Sequence, residues 1–189
     1  MTAILKVDTI QDTSGNNIIN ENAGTITIGK SGDTVNLASG ATAGFGKVLQ
    51  VVQTVKQDMT STSSTSYVDI SGMSVSITPS SASSKILILC TANTSTNNTD
   101  AQGKLLRDST DIVGTGATNN ATMYLRSSNG DTMSPNGIIY LDSPNTTSAV
   151  TYKLQWRVVT DTVYLNRRMG DTAFGTISTI IAMEISAWL

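Results

Sequence analysis

The chain has 189 residues, a formal net charge of −2, and charged residues at only 14% of its length, against about 25% in ordinary soluble domains. It has no histidine and a single cysteine. Those counts exclude Ser-His-Asp and Cys-His catalysis, thiolate zinc clusters and an intrachain disulfide.

Polarity comes instead from Thr, Ser and Asn, which together with Gly favour strands and turns over helices. No window carries a sustained helical apolar period, so an all-β fold is predicted. Aromatic residues divide the chain: none precedes Phe45, and the other eight lie downstream. A core wants bulky side chains, so the first 46 residues are read as an arm and residues 47–189 as the globular part, with the boundary near Gly44-Phe45-Gly46.

Residues 4–10 read as a strand, Ile4-Leu5-Lys6-Val7-Asp8-Thr9-Ile10, and residues 11–17 as a turn cluster. This stretch is too short to fold alone. Residues 1–17 are therefore expected to pack under the next segment or to anchor in a partner, with Ile4, Leu5, Val7 and Ile10 as the docking candidates.

Residues 18–46 space apolar pairs at a nearly even step: Ile18 and Ile19, Ile26 and Ile28, Val35 and Leu37. Between them lie Asn20-Glu21-Asn22-Ala23-Gly24 and Gly29-Lys30-Ser31-Gly32-Asp33, read as turns. A lone strand or hairpin of this size is marginal in water. Copies of the same chain are the nearest supply of cover, which predicts an intertwined three-chain β shaft with contacts at Ile18, Ile26, Ile28, Val35 and Leu37. Two other readings stand beside it: a single hairpin over residues 25–37, turned by Gly29 and Gly32, or a flexible linker.

The globular part opens with a long apolar strand over residues 47–56. A polar loop is expected at 59–65, then strands at 66–70 and 73–77, a turn at 78–84, and a central strand over 85–91 that contains Cys90. The Cys90 thiol is read as a small buried apolar group. Residues 92–100 read as an exposed, pliable loop. Further strands are expected at 103–108, 122–126, 137–142, 150–158 and 162–165, and a long last one over 176–186. Many short strands with turn signals between them predict a sandwich, of jelly-roll kind, or a barrel. The two longest apolar strands are the first and the last of the domain. Either they pair near a symmetry axis and turn apolar surface to other chains, or they are central strands of a monomer; the shaft favours a trimer.

No constellation carries chemistry. Asp108-Ser109-Thr110-Asp111 fits a hairpin turn better than a calcium or paired-carboxylate site. Asn166-Arg167-Arg168 fits a solvated loop better than a phosphate grip. Tyr124, Tyr140, Tyr152, Trp156 and Tyr164 fit a core better than a sugar-stacking platform. The chain is read as a non-enzyme without cofactor or metal. Its ten basic residues in 47–189 are scattered among ten acidic ones, so no nucleic-acid partner is expected. Residues 1–8 contain no apolar run of leader length, and nothing approaches a membrane span.

Lys6-Val7-Asp8-Thr9-Ile10-Gln11-Asp12-Thr13-Ser14-Gly15-Asn16, followed by Thr25-Ile26-Thr27-Ile28-Gly29, resembles the N-terminal arms of tail-fibre and related virion proteins of marine tailed phages, cyanophages among them. Val48-Leu49-Gln50-Val51-Val52, Ile77-Thr78-Pro79-Ser80-Ser81-Ala82-Ser83-Ser84-Lys85-Ile86-Leu87 and Ser178-Thr179-Ile180-Ile181-Ala182-Met183-Glu184-Ile185 are similar to their small β-domains. The resemblance implies a homotrimeric virion appendage, made in the host cytoplasm and exposed on the particle. One end would be anchored to other virion proteins and the distal domain would face a host-surface glycan or protein. Host contacts are expected in loops 59–65, 92–102, 127–136 and 166–175, with Asn97, Asn98, Asn129, Asp131, Arg167 and Arg168 as candidates. The chain is shorter than a full tail fibre, which leaves room for a short fibre, an accessory tip or a decoration protein, and two alternatives are kept. One is a head fibre or capsid-decoration protein, and the other a glycan-binding tail-spike module.

Overall fold

The computed structural model describes residues 9–11, 13–14, 17–22, 25–28, 48–114, 121–127 and 129–186. The chain divides into two compact units, Met1–Gly44 and Phe45–Leu189.

In the first unit, β1 (Thr9–Gln11), β2 (Asn17–Asn22) and β3 (Thr25–Ile28) form an antiparallel sheet in the order β1-β2-β3. Asn20, Glu21 and Asn22 belong to β2, so three residues of the turn expected at 20–24 are strand, and residues 23 and 24 lie outside the described residues. Of the hairpin expected over 25–37, residues 29–37 lie outside the described residues; Thr25–Ile28 is β3 and pairs with β2. β2 has backbone partners in its own chain on both sides, and residues 29–46 of the expected shaft lie outside the described residues. Register sets Ile19 opposite both Ile10 and Ile28. These three are exposed at 37%, 40% and 55% and form an uncovered apolar row.

The second unit is an antiparallel β-sandwich, as the sequence predicts. Its strands are β4 (Val48–Lys56), β5 (Thr60–Thr62), β6 (Val68–Ile77), β7 (Lys85–Thr96), β8 (Ala101–Arg107), β9 (Thr110–Asp111), β10 (Met123–Tyr124), β11 (Ser134–Asp142), β12 (Val150–Val158), β13 (Val163–Leu165) and β14 (Ser178–Ile185). One sheet runs β10-β8-β12-β6, with β9 also on β8. The other runs β4-β14-β7-β13-β5, with β11 on the free edge of β7.

Strict alternation puts one face of each strand inside. β12 is buried at Val150, Tyr152, Leu154, Trp156 and Val158, with the residues between them half-buried. Those side chains meet Ile86, Ile88, Cys90 and Ala92 of β7 and Ile180 and Ala182 of β14 in one core. Tyr152 and Trp156 fill that core as expected, whereas Tyr124 is exposed at 49%. The first and last strands of the domain pair along nearly their whole length, from Ser178 opposite Lys56 to Ile185 opposite Val48. β14 is central in the sheet and β4 lies at its edge.

Three boundaries differ from the sequence reading for identifiable reasons. Residues 66–77 are one strand from Val68, not two. It bulges opposite Lys153 and Gln155, where Gly72 takes a φ of +79° that a side chain would resist. β7 runs on to Thr96, so most of the expected loop 92–100 is strand. Thr94, Ser95 and Thr96 are buried there because β11 and β13 flank them and Ser127 satisfies Thr96. The expected loops 59–65 and 127–136 contain β5 and the start of β11.

Candidate interaction surfaces

The loops after β7, β10, β12 and β13 gather around the last residues of β7. Ser127 Oγ donates to Thr96 O at 2.7 Å and accepts from Thr96 N at 2.7 Å, which fixes the chain after β10. Val159 N donates to Asp100 O at 2.9 Å, and Thr99 Oγ1 to Thr160 O at 2.6 Å, which fixes the chain after β12. Ser95 Oγ donates to Arg167 O, and Met169 N to Gly130 O, which joins the loop after β13 to its neighbour.

The loop after β13 is anchored by Asn166. This side chain is fully buried at a φ of +61°, a conformation that Asn tolerates better than most residues. Its Nδ2 donates to Lys56 O at 2.9 Å and Asp58 O at 3.1 Å, and its Oδ1 accepts from Ser178 Oγ at 2.6 Å. The arginines that follow are half-buried rather than solvated, which corrects the sequence reading. Arg167 lies over the Tyr164 ring and donates to the carbonyls of Arg168 and Met169. Arg168 lies 4.1 Å from the Phe174 ring centre and pairs with Asp171. Both guanidinium groups are thus engaged by their own loop.

Between the loops after β7, β10 and β12 lies an open cleft of about 270 Å3, lined by Asn98, Thr99, Asp100, Arg126, Val159 and Thr160. Arg126 spans it. Its Nε and Nη2 donate to Asn98 Oδ1 at 3.2 and 2.6 Å, and its Nη1 lies 3.4 Å from Asp100 Oδ1. Asn98 holds a φ of +55° to make this contact. The Tyr124 hydroxyl bonds to Asp100, and that bond, with some burial, raises the tyrosine pKa. One cation and one anion oppose each other in the lining, beside an exposed Val159 and Tyr124. Such a surface offers planar hydrogen-bonding groups and an apolar edge, suited to a neutral polyhydroxyl ligand.

A second surface is the outer face of the sheet containing β7. The register puts Leu141, Leu87, Met183 and Val51 side by side across β11, β7, β14 and β4. The next row is Ile139, Leu89, Ile181 and Gln53, and the one after it Gly137, Thr91, Thr179 and Val55. Ile139 is 80% exposed, Val51 56%, Leu141 54% and Val55 42%. The outer face of the other sheet is unlike it: Lys153 pairs there with Asp69 and Lys104 with Asp111, and Ser76 bonds to Thr151.

Of the residues named from sequence, Ile4, Leu5, Val7, Val35 and Leu37 lie outside the described residues. Ile10 is exposed on β1 and Ile28 on β3; Ile18 and Ile26 are on β2 and β3. Ile19, unassigned from sequence, completes the exposed row in the arm. Asn97 and Asn98 are exposed after β7, and Asn98 lines the cleft. Asn129 and Asp131 are exposed in the adjoining loop, where Asn129 Oδ1 accepts from Asp131 N and Thr132 Oγ1. The structure therefore gathers Asn97, Asn98, Asn129, Asp131, Arg167 and Arg168 at one end of the sandwich. Arg126 and Tyr124 complete that end and were missed, whereas Asp100 falls within the expected contact loop 92–102. Arg126 falls on an expected strand, and nothing in its local sequence marks it as the partner of Asn98, 28 positions away. Comparison with models of known protein families finds no match, and no curated protein matches the chain.

Proposed function

We propose that the chain is a structural virion protein of a tailed phage: a short homotrimeric tail fibre or fibre-tip component that attaches the particle to a host surface. The observation that carries this reading is the convergence of three loops on one polar cleft at the end of a sandwich, with a fourth loop beside them, in a chain whose other unit is a small separate sheet. A single carboxylate in the cleft lining favours recognition over cleavage, since glycoside hydrolysis employs a pair. Contacts at three copies gain by avidity, so each cleft need bind only weakly. In this reading the arm docks on other virion proteins and the loop end faces a host glycan or protein.

The test is antibody labelling of intact particles, together with competition of purified protein for adsorption. Label at the tail and reduced adsorption are expected. Label on the head would replace the tail assignment with a capsid-decoration role, and unlabelled particles would remove the virion reading.

A further inference from the structure

We infer that the outer face of the sheet formed by β11, β7, β14 and β4 is where copies of this chain meet. The inference uses the self-association in the function proposed above. It is independent of the virion assignment, and it moves the contact from the arm to the sandwich itself.

The face is strongly apolar. Its first two rows contain seven large apolar side chains and Gln53, and the third adds Val55. Four strands at about 4.8 Å and three outward rows at about 7 Å give a footprint of roughly 400 Å2. That lies within the 300–600 Å2 of the largest patches on monomers, which are often functional. It is also about half of the ~800 Å2 that each partner contributes to a standard interface, a reasonable share for its apolar core.

Charge selects the occupant. None of the twelve residues in the three rows is charged, so a charged partner would find nothing to pair with and would lose its own hydration. The complementary surface must itself be apolar and uncharged. A second copy brings such a surface in equal amount, and closed symmetry lets every copy cover its face in the same way. The sheet is also open at the edge: among the described residues the nine-residue β4 pairs only with β14. The arm unit repeats the pattern on its own scale with the uncovered row Ile10, Ile19 and Ile28.

The full-length chain carrying Leu141→Cys, and a control carrying Ser76→Cys on the outer face of the other sheet, would be treated with a thiol reagent while their solution mass is followed. Cys90 is a silent background because it is buried at 4% exposure. The expected results are a mass that is a multiple of 19.9 kDa and an L141C thiol that reacts at least tenfold more slowly than the S76C thiol. Dilution, or denaturant short of unfolding, until the mass falls to one chain should then equalise the two rates. Equal rates in the assembled protein would overturn the inference by placing the contact elsewhere. A monomer at every concentration would overturn it too, as would protection that persists in the single chain, since the chain's own arm would then be the cover. Loss of the virion assignment with protection intact would leave this contact standing.

Discussion

Glu184 on the last strand accepts hydrogen bonds from both the backbone N–H and the hydroxyl of Ser80, each at 2.7 Å, across 104 residues of chain. The side chain is fully buried, and its other oxygen accepts from Gln50 Nε2 at 2.6 Å. One carboxylate thereby pins the turn before β7 to the pair β4 and β14. Burial alone would raise its pKa, but the bonds from Gln50 and Ser80 outweigh burial and hold it below the ordinary 4.5. With the folded value below the unfolded one, its stabilisation is complete above pH 4.5 and is lost as the pH falls through the lower folded value. Glu184→Gln should cost about 1–3 kcal/mol at pH 7. Thermal melts from pH 7 to 3 should show the wild type losing its advantage over E184Q below about pH 4.5; a constant gap would refute the account.

Asn166 supports the loop end in the same manner. Asn166→Ala would remove the donor to Lys56 O and Asp58 O and the acceptor of the Ser178 hydroxyl, which keeps its bond from Asn93 N, and would hold an alanine at positive φ. A loss of about 3 kcal/mol or more is expected in denaturant unfolding. Asn166→Gly loses the same bonds without the backbone strain, so it should be about 1 kcal/mol less damaging. Equal losses would show that the φ angle carries no cost.

The strands were legible where alternation was strict and aliphatic, as in Val150-Thr151-Tyr152-Lys153-Leu154-Gln155-Trp156, because period two has a single structural meaning there. The second half of β7 was not. Thr94, Ser95 and Thr96 have the composition of a loop and become strand only because Ser127 and the flanking strands satisfy them. Pairing of β4 with β14 could be anticipated from their shared length and apolarity. The loop end was half legible: Asn98 and Arg167 stand in polar stretches that announce a surface. Arg126 and Tyr124 reach the cleft through a strand register that no local pattern encodes.

Close approach of β10 to β8 rests on Gly103. A Cβ at that position would lie 2.6 Å from Met123 Cγ and 3.0 Å from its sulfur. Gly103→Ala should therefore destabilise by about 1–3 kcal/mol through overpacking. Met123→Ala removes the obstruction, so in the G103A background it should cost less than it does in the wild type. A double-mutant cycle by denaturant unfolding measures this coupling. Additive losses would mean that the methionine moves aside freely.

Arg126 is the residue whose loss should separate recognition from folding. It is about half exposed, and it joins Asn98 and Asp100 at a surface where ion pairs contribute about 0–1 kcal/mol. Arg126→Ala should leave the melting temperature within a few degrees of wild type. It releases Asn98 from its positive-φ contact and leaves Asp100 as the one charge in the cleft. Under the attachment function proposed above, binding of the assembled protein to host cells should fall at least tenfold, because avidity multiplies a weak loss at each copy. Lys153→Ala, on the polar face of the other sheet, is the control and should bind as wild type. If R126A binds undiminished while the S76C and L141C controls confirm assembly, the cleft is not the contact. The search would then move to the neighbouring loop of Asn129 and Asp131, where Met169 and Gly130 join the same end of the sandwich.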